Sequence, residues 1–411
     1  MSKQPITHVA LSEVAEVRFS SVDKHTVAGE KAVRLCNYTD VFKNRFIADS
    51  MNFMTASATD SEIVRFGLRH GDIAITKDSE TPEEIGIPAL VERPSPDLVL
   101  GYHLALIRAK AERCDPYFLA AALQSRHVAR HYLRTAVGLT RFGLSIKAVA
   151  DTPVPNIPLF TQRKIGRWYR ESARLESHTD ALIAAKREQK RGLMQQLLTG
   201  KVRFPGFTEP WKTVRLGELG LIKSGGTPAT GESEYWGGPH AWCTPTDVTA
   251  LQTRHLSRTS RTITDAGMRA SAAELLPPKS VIVCTRATVG IAAINTVPMS
   301  MNQGFKAIVP RRDVDGDFLY YAISHAKTDL LRRAAGSTFI EVSMTSFKDI
   351  PIRWPSSFAE QRRIATLLAG VDLEIELLSS QRAAFAMQRR GLMEHLLSGD
   401  ITIPSSDTSA A

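Results

Sequence analysis

Two stretches of this chain are near-copies of each other at a fixed separation. TQRKI at 161–165 aligns with EQRRI at 360–364, and RGLMQQLLTG at 191–200 aligns with RGLMEHLLSG at 390–399. Both offsets are 199 residues, so the segments between them have equal length. Each segment runs for about 37 residues without proline and is rich in Leu, Ala, Arg, Gln and Glu, which favours helix. A helix of this length spans roughly 55 Å. That is too long for one small globule to cover, so each is expected to pack against another helix.

Apolar positions recur at three and four. They are Ile165, Trp168, Leu175, Leu182, Leu193 and Leu197 in the first segment. In the second they are Ile364, Leu367, Val371, Leu378, Phe385, Leu392 and Leu396. Lys186, Gln189, Gln381 and Gln388 interrupt the stripes, which favours loose antiparallel pairing over a strict zipper. Pro355 precedes the second segment, and Ser357 with Glu360 has capping-box spacing; Thr161 replaces the glutamate in the first. Both helices are expected to stop at a C′ glycine, Gly200 or Gly399.

Weaker repetition extends upstream. HVALSEVAEV at 8–17 resembles TVRLGELGLI at 213–222, and GDIAIT at 71–76 resembles KSVIVC at 279–284. DPYFLAAALQS at 115–125 resembles GDFLYYAISHA at 316–326, Gly138 matches Gly336, and Asp151 with Pro153 matches Asp349 with Pro351. The expected order is a globule over 1–157, a long helix over 158–199 and an ordered link over 200–212. A second globule over 213–356, a second helix over 357–398 and a flexible tail over 399–411 follow. The fold class is α+β. Two similar mixed domains each precede a long helix, the two helices pair as an antiparallel coiled coil, and each globule has one main helix, at 116–134 or 317–333.

The formal net charge is +10, which favours a polyanion or an acidic surface as partner. The charge is uneven: residues 161–203 carry +7 and residues 359–398 carry zero. Any nucleic-acid contact by the globules should therefore be local. The four cysteines, Cys36, Cys114, Cys243 and Cys284, have neither zinc spacing nor a dense disulfide pattern, and read as reduced thiols of a cytoplasmic protein. No N-terminal stretch resembles a signal peptide and no 18-residue apolar run occurs, so no membrane association is expected.

Catalytic motifs are not found. KSGGTPATGE at 223–232 lacks the lysine and hydroxyl residue of a P-loop, and no HExxH, HRD or GxSxG pattern occurs. His127 and His131 are four apart but have no nearby acidic partner, and NIPLF at 156–160 is a poor match to a methyltransferase motif. ETPEEIG at 80–86 reads as a surface loop. No metal site, bound cofactor or catalytic residue is assigned. The polar signals are of another kind. Residues 221–247 gather Gly, Thr, Lys, Tyr and Trp in one loop system, in which Lys223, Ser224, Gly225, Gly226 and Thr227 are candidates to meet phosphates or base edges. Arg286, Asn302 and Gln303 add groups able to read bases. In the first globule the comparable candidates are Thr76, Lys77 and Ser79, with Tyr102 and His103; Lys77 follows a strand pattern and is expected to be exposed.

Taken in order, LGELGLIKSGGTP, YWGG, NQGFKAI, GSTFIEVSMTSFKDIPI running into EQRRIA, and the doubled RGLM helix end resemble the specificity subunits of type I restriction–modification systems over essentially the whole chain. The resemblance implies two target recognition domains, each reading half of a split, asymmetric DNA sequence. It implies long helices that pair, space the domains and dock two modification subunits. Those subunits would be adenine methyltransferases using S-adenosylmethionine, with restriction subunits joining them; this chain would bind no cofactor. The second globule carries the family pattern at Gly225, Gly226, Thr227, Pro228, Tyr235, Trp236, Asn302 and Gln303. The first departs from it, with RFSSVDK where KSGGTP would stand, which implies a different half-site. Two other classes stay open: a stand-alone DNA-cleaving enzyme with duplicated recognition domains, and a coiled-coil adaptor that binds only protein.

Overall fold

The computed structural model describes residues 6–334 and 341–401. Gly336 and the tail beyond Ile401 lie outside the described residues. The chain divides into two compact units. One comprises the residues up to His178 together with those from Arg382 onward, and the other runs from Thr179 to Gln381.

In the first unit a five-stranded sheet has the order Ala15–Phe19, Leu104–Ala109, Asp72–Thr76, Pro88–Arg93, Phe46–Ala48. Its central strands alternate between two cores, as the period of two requires. Ile73, Ile75, Ala105 and Ile107 face a cluster built with helix Pro116–Leu123 and the long helix. Ala74, Leu104 and Leu106 face a cluster under a three-stranded sheet, Met54–Ala58, Lys31–Cys36, Leu98–Leu100. With both faces covered, the central strands read as continuous apolar runs. The second unit repeats this plan. Its five strands are Gly220–Ser224, Phe305–Pro310, Val281–Cys284, Ala292–Asn295 and His255–Leu256, and its three are Arg261–Ile263, Trp236–Cys243 and Met299–Met301.

The main helix expected in each globule is two helices. In the first, Pro116–Leu123 ends and Ser125 caps a new start, its Oγ accepting from the Val128 amide (3.3 Å), for helix Arg126–Thr135. In the second, Gly316–His325 is followed by Lys327–Arg333. A cap within a run of good helix formers overrides propensity.

The long helices are Leu159–Leu197 and Phe358–Ser398. Each start is stapled to its own globule by a buried glutamine. Gln162 Oε1 accepts from the Asp115 amide (3.0 Å), while its Nε2 donates to the carbonyls of Ile157 (2.9 Å) and Arg113 (3.2 Å). Gln361 makes the same three bonds, to Asp315 (2.8 Å), Pro355 (3.1 Å) and Asp313 (3.4 Å). The two aspartates cap the following helices at Phe118 and Phe318. The capping box at Ser357 is only half made. Ser357 Oγ accepts from the Glu360 amide (3.3 Å), but the Glu360 carboxylate turns to Arg203, with two contacts of 2.8 Å. Both helices end on a left-handed glycine, Gly200 (φ 72°) and Gly399 (φ 77°). A bond from the Val202 amide to the Gln196 carbonyl (3.3 Å) is matched by one from Ile401 to His395 (3.2 Å), each closing the turn made by the glycine.

Leu197 and Leu198 lie in the core of the second unit, beside Trp211, Phe318 and Ile364. Met393, Leu396 and Leu397 lie in the core of the first, beside Phe118, Ile165 and Tyr169. The helices are antiparallel within each unit. In the first, Glu176 meets Arg389 (3.0 Å); in the second, Lys186 meets Glu374 (2.5 Å) and Lys190 meets Asp372 (2.6 Å).

The expected stripe is corrected in part. Ile165, Leu197, Ile364, Val371 and Leu396 are buried, and Trp168, Leu193, Leu378 and Phe385 are half-buried. Leu175, Leu182, Leu367 and Leu392 are exposed instead, and Tyr169, Ala173, Ile183, Leu368 and Met393 take the buried places. Each helix changes its packing partner along its length, so no single stripe stays buried.

Glu176 is almost fully buried between two guanidinium groups, Arg45 (2.6 Å) and Arg389 (3.0 Å). Burial opposes its ionisation, but bonds from Arg45 and the charge of Arg389 outweigh this and hold the carboxyl below its usual range. A depressed folded-state pKa contributes stability above the unfolded value of about 4.3 and loses it as pH falls through the folded value. Glu176→Gln should therefore cost roughly 3 kcal/mol at neutral pH, because two half-buried cations lose their buried counter-charge. Thermal denaturation of both proteins from about pH 7 to pH 3 should show the gap closing only at the acid end.

Candidate nucleic-acid interface

Strand register aligns the two units residue by residue. Ala105 pairs with both Phe19 and Ile75 in the first; Lys306 pairs with Ser224 and Ala307 with Ile282 in the second. Phe19 thus corresponds to Ser224, Ser20 to Gly225 and Val22 to Thr227, so RFSSVDK does stand where KSGGTP stands. Tyr102 corresponds to Gln303, His103 to Gly304, Asp78 to Arg286 and Gly143 to Glu341. The same backbone bonds build the frame beneath these positions. Lys77 amide to His103 carbonyl (3.1 Å) matches Thr285 to Gly304 (2.8 Å), and Leu144 to Lys77 (2.8 Å) matches Val342 to Thr285 (3.0 Å). Gly101 to Cys36 (2.8 Å) matches Asn302 to Cys243 (3.0 Å).

In the second unit two indoles hold the SGGTPAT loop. Trp242 Nε1 donates to the Gly226 carbonyl (2.9 Å) and Trp236 Nε1 to that of Ala229 (3.2 Å). The rings meet edge to face at 5.0 Å, and the Arg261 guanidinium lies 3.6 Å from the Trp236 centroid. Gly225 and Gly226 have no room for a side chain. A Cβ on the first would lie 1.9 Å from the Asn302 carbonyl oxygen, and on the second 2.4 Å from the backbone of Ala272 and Ala273. Where Gly225 stands, the first unit has Ser20, whose Oγ donates to the Leu100 carbonyl (2.5 Å). The loop brings Thr227 onto Gln303 through a hydrogen bond, and Lys223 forms an ion pair with Glu274. Asn302 Oδ1 accepts from the Gly304 amide (2.9 Å), which shapes the turn rather than facing solvent. Ser224 is half-buried and Gln303 is exposed. Beside this turn Arg286 pairs with Glu341 (2.7 Å), and Lys306 lies 3.9 Å from the same carboxylate. Burial pushes the Lys306 ammonium down, partly offset by Glu341.

The first unit corrects three expectations. Lys77 is buried, not exposed; its ammonium bonds Asp78 (2.9 Å) and lies 4.6 Å from the Tyr102 ring centroid. Thr76 is buried and bridges the Glu84 carbonyl (2.8 Å) and the Ile87 amide (2.9 Å). Ser79 is buried between Tyr38 (3.3 Å) and Glu84 (3.4 Å). Thr76 ends a central strand, Lys77 follows it, and Ser79 belongs to a short strand, Asp78–Ser79, paired with Phe142–Gly143. Tyr102 is half exposed, and His103 Nδ1 lies 3.1 Å from both Asp78 Oδ2 and Arg141 Nη2. Burial works against the Asp78 carboxylate, but bonds from Lys77 and His103 hold it below its usual range. Arg141 lies in an exposed loop with Leu139.

Sequence reasoning missed Glu341, Lys306, Asp78, Arg141 and Arg261. Lys306 lies in NQGFKAI and Glu341 in GSTFIEVSMTSFKDIPI, stretches that carry the resemblance without singling out either charge, and Arg141 stands three residues after Gly138. All four cysteines are buried and free, and burial pushes each thiol up, that of Cys114 to about 12. Among the described residues no three His, Cys, Asp or Glu side chains group to hold a metal ion. No described helix is long and apolar enough to cross a membrane.

Residues 208–384 match the family described as Type I restriction modification DNA specificity domain. The chain is 33% identical over 168 residues to the type I restriction enzyme MjaIX specificity subunit of Methanocaldococcus jannaschii, covering 40% of this chain and 39% of that one. It is 29% identical over 250 residues to the EcoR124I/EcoR124II specificity subunit of Escherichia coli, covering 56% and 59%. The alignments thus span about two fifths and three fifths of these relatives' lengths. In fold, it resembles the crystal structure of a type I restriction–modification S subunit from M. genitalium, with TM-score 0.61, 14% identity, and 95% and 96% of the two chains covered. A chain from a study of type I complex assembly and conformational transition gives TM-score 0.55 at 18% identity, with 98% and 100% covered. Over these stretches the chain is similar to specificity subunits of type I restriction–modification systems, and its fold is similar to theirs.

Gly225→Ala should lower the thermal stability of the second unit by roughly 1–3 kcal/mol, since two backbone oxygens must give way. Gly231→Ala, where a Cβ meets nothing within 4 Å, should leave the melting temperature unchanged.

Proposed function

We propose that this chain is the DNA-reading subunit of a type I restriction–modification complex, and that each unit recognises one half of a bipartite, asymmetric duplex sequence. The observation that carries this reading is one backbone frame built twice, with different side chains at its tips: Tyr102, Asp78 and Arg141 in one unit, Gln303 and Arg286 in the other. A repeated scaffold with divergent tips suits two different half-sites. Phosphate contacts would position the frame without sequence preference and make binding salt-dependent, and side chains at base edges would discriminate.

The chain itself carries out no chemistry in this reading and binds no cofactor. Two modification subunits, docked through the paired helices, supply methyl transfer from S-adenosylmethionine; restriction subunits join them; the complex works in the cytoplasm. Exposed Leu182, Leu367 and Leu392 offer apolar surface to partner subunits on those helices.

The test is to co-express the chain with candidate modification subunits, purify the assembly and map methylated positions on genomic DNA. The expected result is a stable complex that methylates one two-part sequence. Its binding should weaken steeply with salt, about 0.9 decades in affinity per decade of salt for each phosphate neutralised. DNA cleavage by the chain alone with Mg²⁺, or an assembly that selects no sequence, would contradict the proposal.

A further inference from the structure

The place where the two frames differ most in charge is one structural position. Asp78 in the first unit corresponds to Arg286 in the second, and each has a partner of opposite sign. Arg286 starts beside the turn that carries Gln303: its Cβ is 3.9 Å from the position a Cβ would take on Gly304. Glu341 holds the guanidinium from the neighbouring strand through Nη2 (2.7 Å), and the Arg286 side chain remains 43% exposed. A carboxylate bound to one edge of a guanidinium restrains the long side chain and leaves other N–H donors facing outward. Gln303, anchored by Thr227, stands beside it and is exposed.

In the first unit the inverted charge is paired directly by the neighbouring Lys77 (2.9 Å), and a second cation comes from another loop. Asp78 accepts from His103 Nδ1 and so fixes the imidazole, and the Arg141 guanidinium lies against that ring, with Nη2 3.1 Å from Nδ1 and 3.4 Å from Nε2; Arg141 is exposed. Tyr102 takes the place of Gln303.

Resting on the proposal that each unit reads one half-site, we infer that Arg286, positioned by Glu341, is the specificity-determining residue of the second unit and reads a guanine, and that Arg141, positioned by Asp78 through His103, has that role in the first. Arginine donates two parallel bonds to guanine O6 and N7, and glutamine matches adenine N6 and N7. Gln303 therefore adds an adenine preference next to the guanine in the second half-site, and Tyr102 supplies no equivalent fork in the first. Glu341 and Asp78 act through the arginines and are positioning residues.

The experiment assembles the full chain with its modification subunits and selects binding sequences from randomised duplex DNA, for the wild type, Arg286→Ala, Glu341→Gln and Arg141→Ala. The wild type should yield a two-part consensus. Arg286→Ala should lose roughly ten-fold or more discrimination at one G·C pair in one half and leave the other half unchanged. Arg141→Ala should relax a pair in the opposite half. Glu341→Gln should relax the same pair as Arg286→Ala but bind non-specific DNA as tightly as wild type or tighter, because it removes a negative charge; a purely structural ion pair would not separate the two readouts. Melting temperatures near wild type would show that the variants are folded. Uniform weakening with an unchanged consensus would make Arg286 a phosphate contact and overturn the inference while leaving the proposed function standing. So would both alanine variants relaxing the same half. A wild-type assembly with no consensus would overturn the functional reading and this inference together.

Discussion

One buried amide in each unit holds the architecture in place. Gln162 and Gln361 each satisfy one backbone N–H and two carbonyls at the point where strand, domain helix and long helix meet. Glutamine is suited to this place because its amide is neutral, so burial carries no charge penalty, and it presents both a donor and an acceptor. An unmet group there would cost about 1–3 kcal/mol. The staple sets where each long helix starts and how it leaves its domain, and the aspartate it touches starts the main domain helix.

From that origin the helix crosses from one core to the other. Ile165 and Tyr169 belong to the first unit's core and Leu197 and Leu198 to the second's; Ile364 and Leu368 belong to the second and Leu396 and Leu397 to the first. The repeat is therefore a repeat of packing surfaces. One further contact breaks it. Arg203 clamps Glu360, whose counterpart in the first copy is Thr161. Arg203, just past the first helix end, thus has its partner far along the chain.

Much of this was legible in the sequence because it depended on local rules. The 199-residue offset, the C′ glycines, the antiparallel pairing and the alignment of RFSSVDK with KSGGTP all follow from pattern and spacing. What was not legible depended on where a surface lands. Leu175 and Leu392 have the right helical phase but face outward, because the packing partner changes along each helix. Lys77 follows a strand, as expected, yet is buried under Tyr102 and beside Phe19. Glu341 gave no local sign of its role, since its partner Arg286 is brought to it only by an isolated bridge between distant segments. The candidate site was thus readable as a set of loops and unreadable as a set of charges.

The recognition frame is the same in both units, and the charges at its tips are inverted. A frame of this kind depends on a rigid core beneath it, and each core takes in residues from the far helix. Hydrogen exchange on a chain ending at Gln381 tests this most directly, because the deletion removes Met393, Leu396 and Leu397 from the first core and nothing from the second. The account predicts lost protection in the strands Asp72–Thr76 and Leu104–Ala109 and retained protection in Val281–Cys284 and Phe305–Pro310. Full protection in the first pair of strands, or loss in the second pair alone, would contradict it.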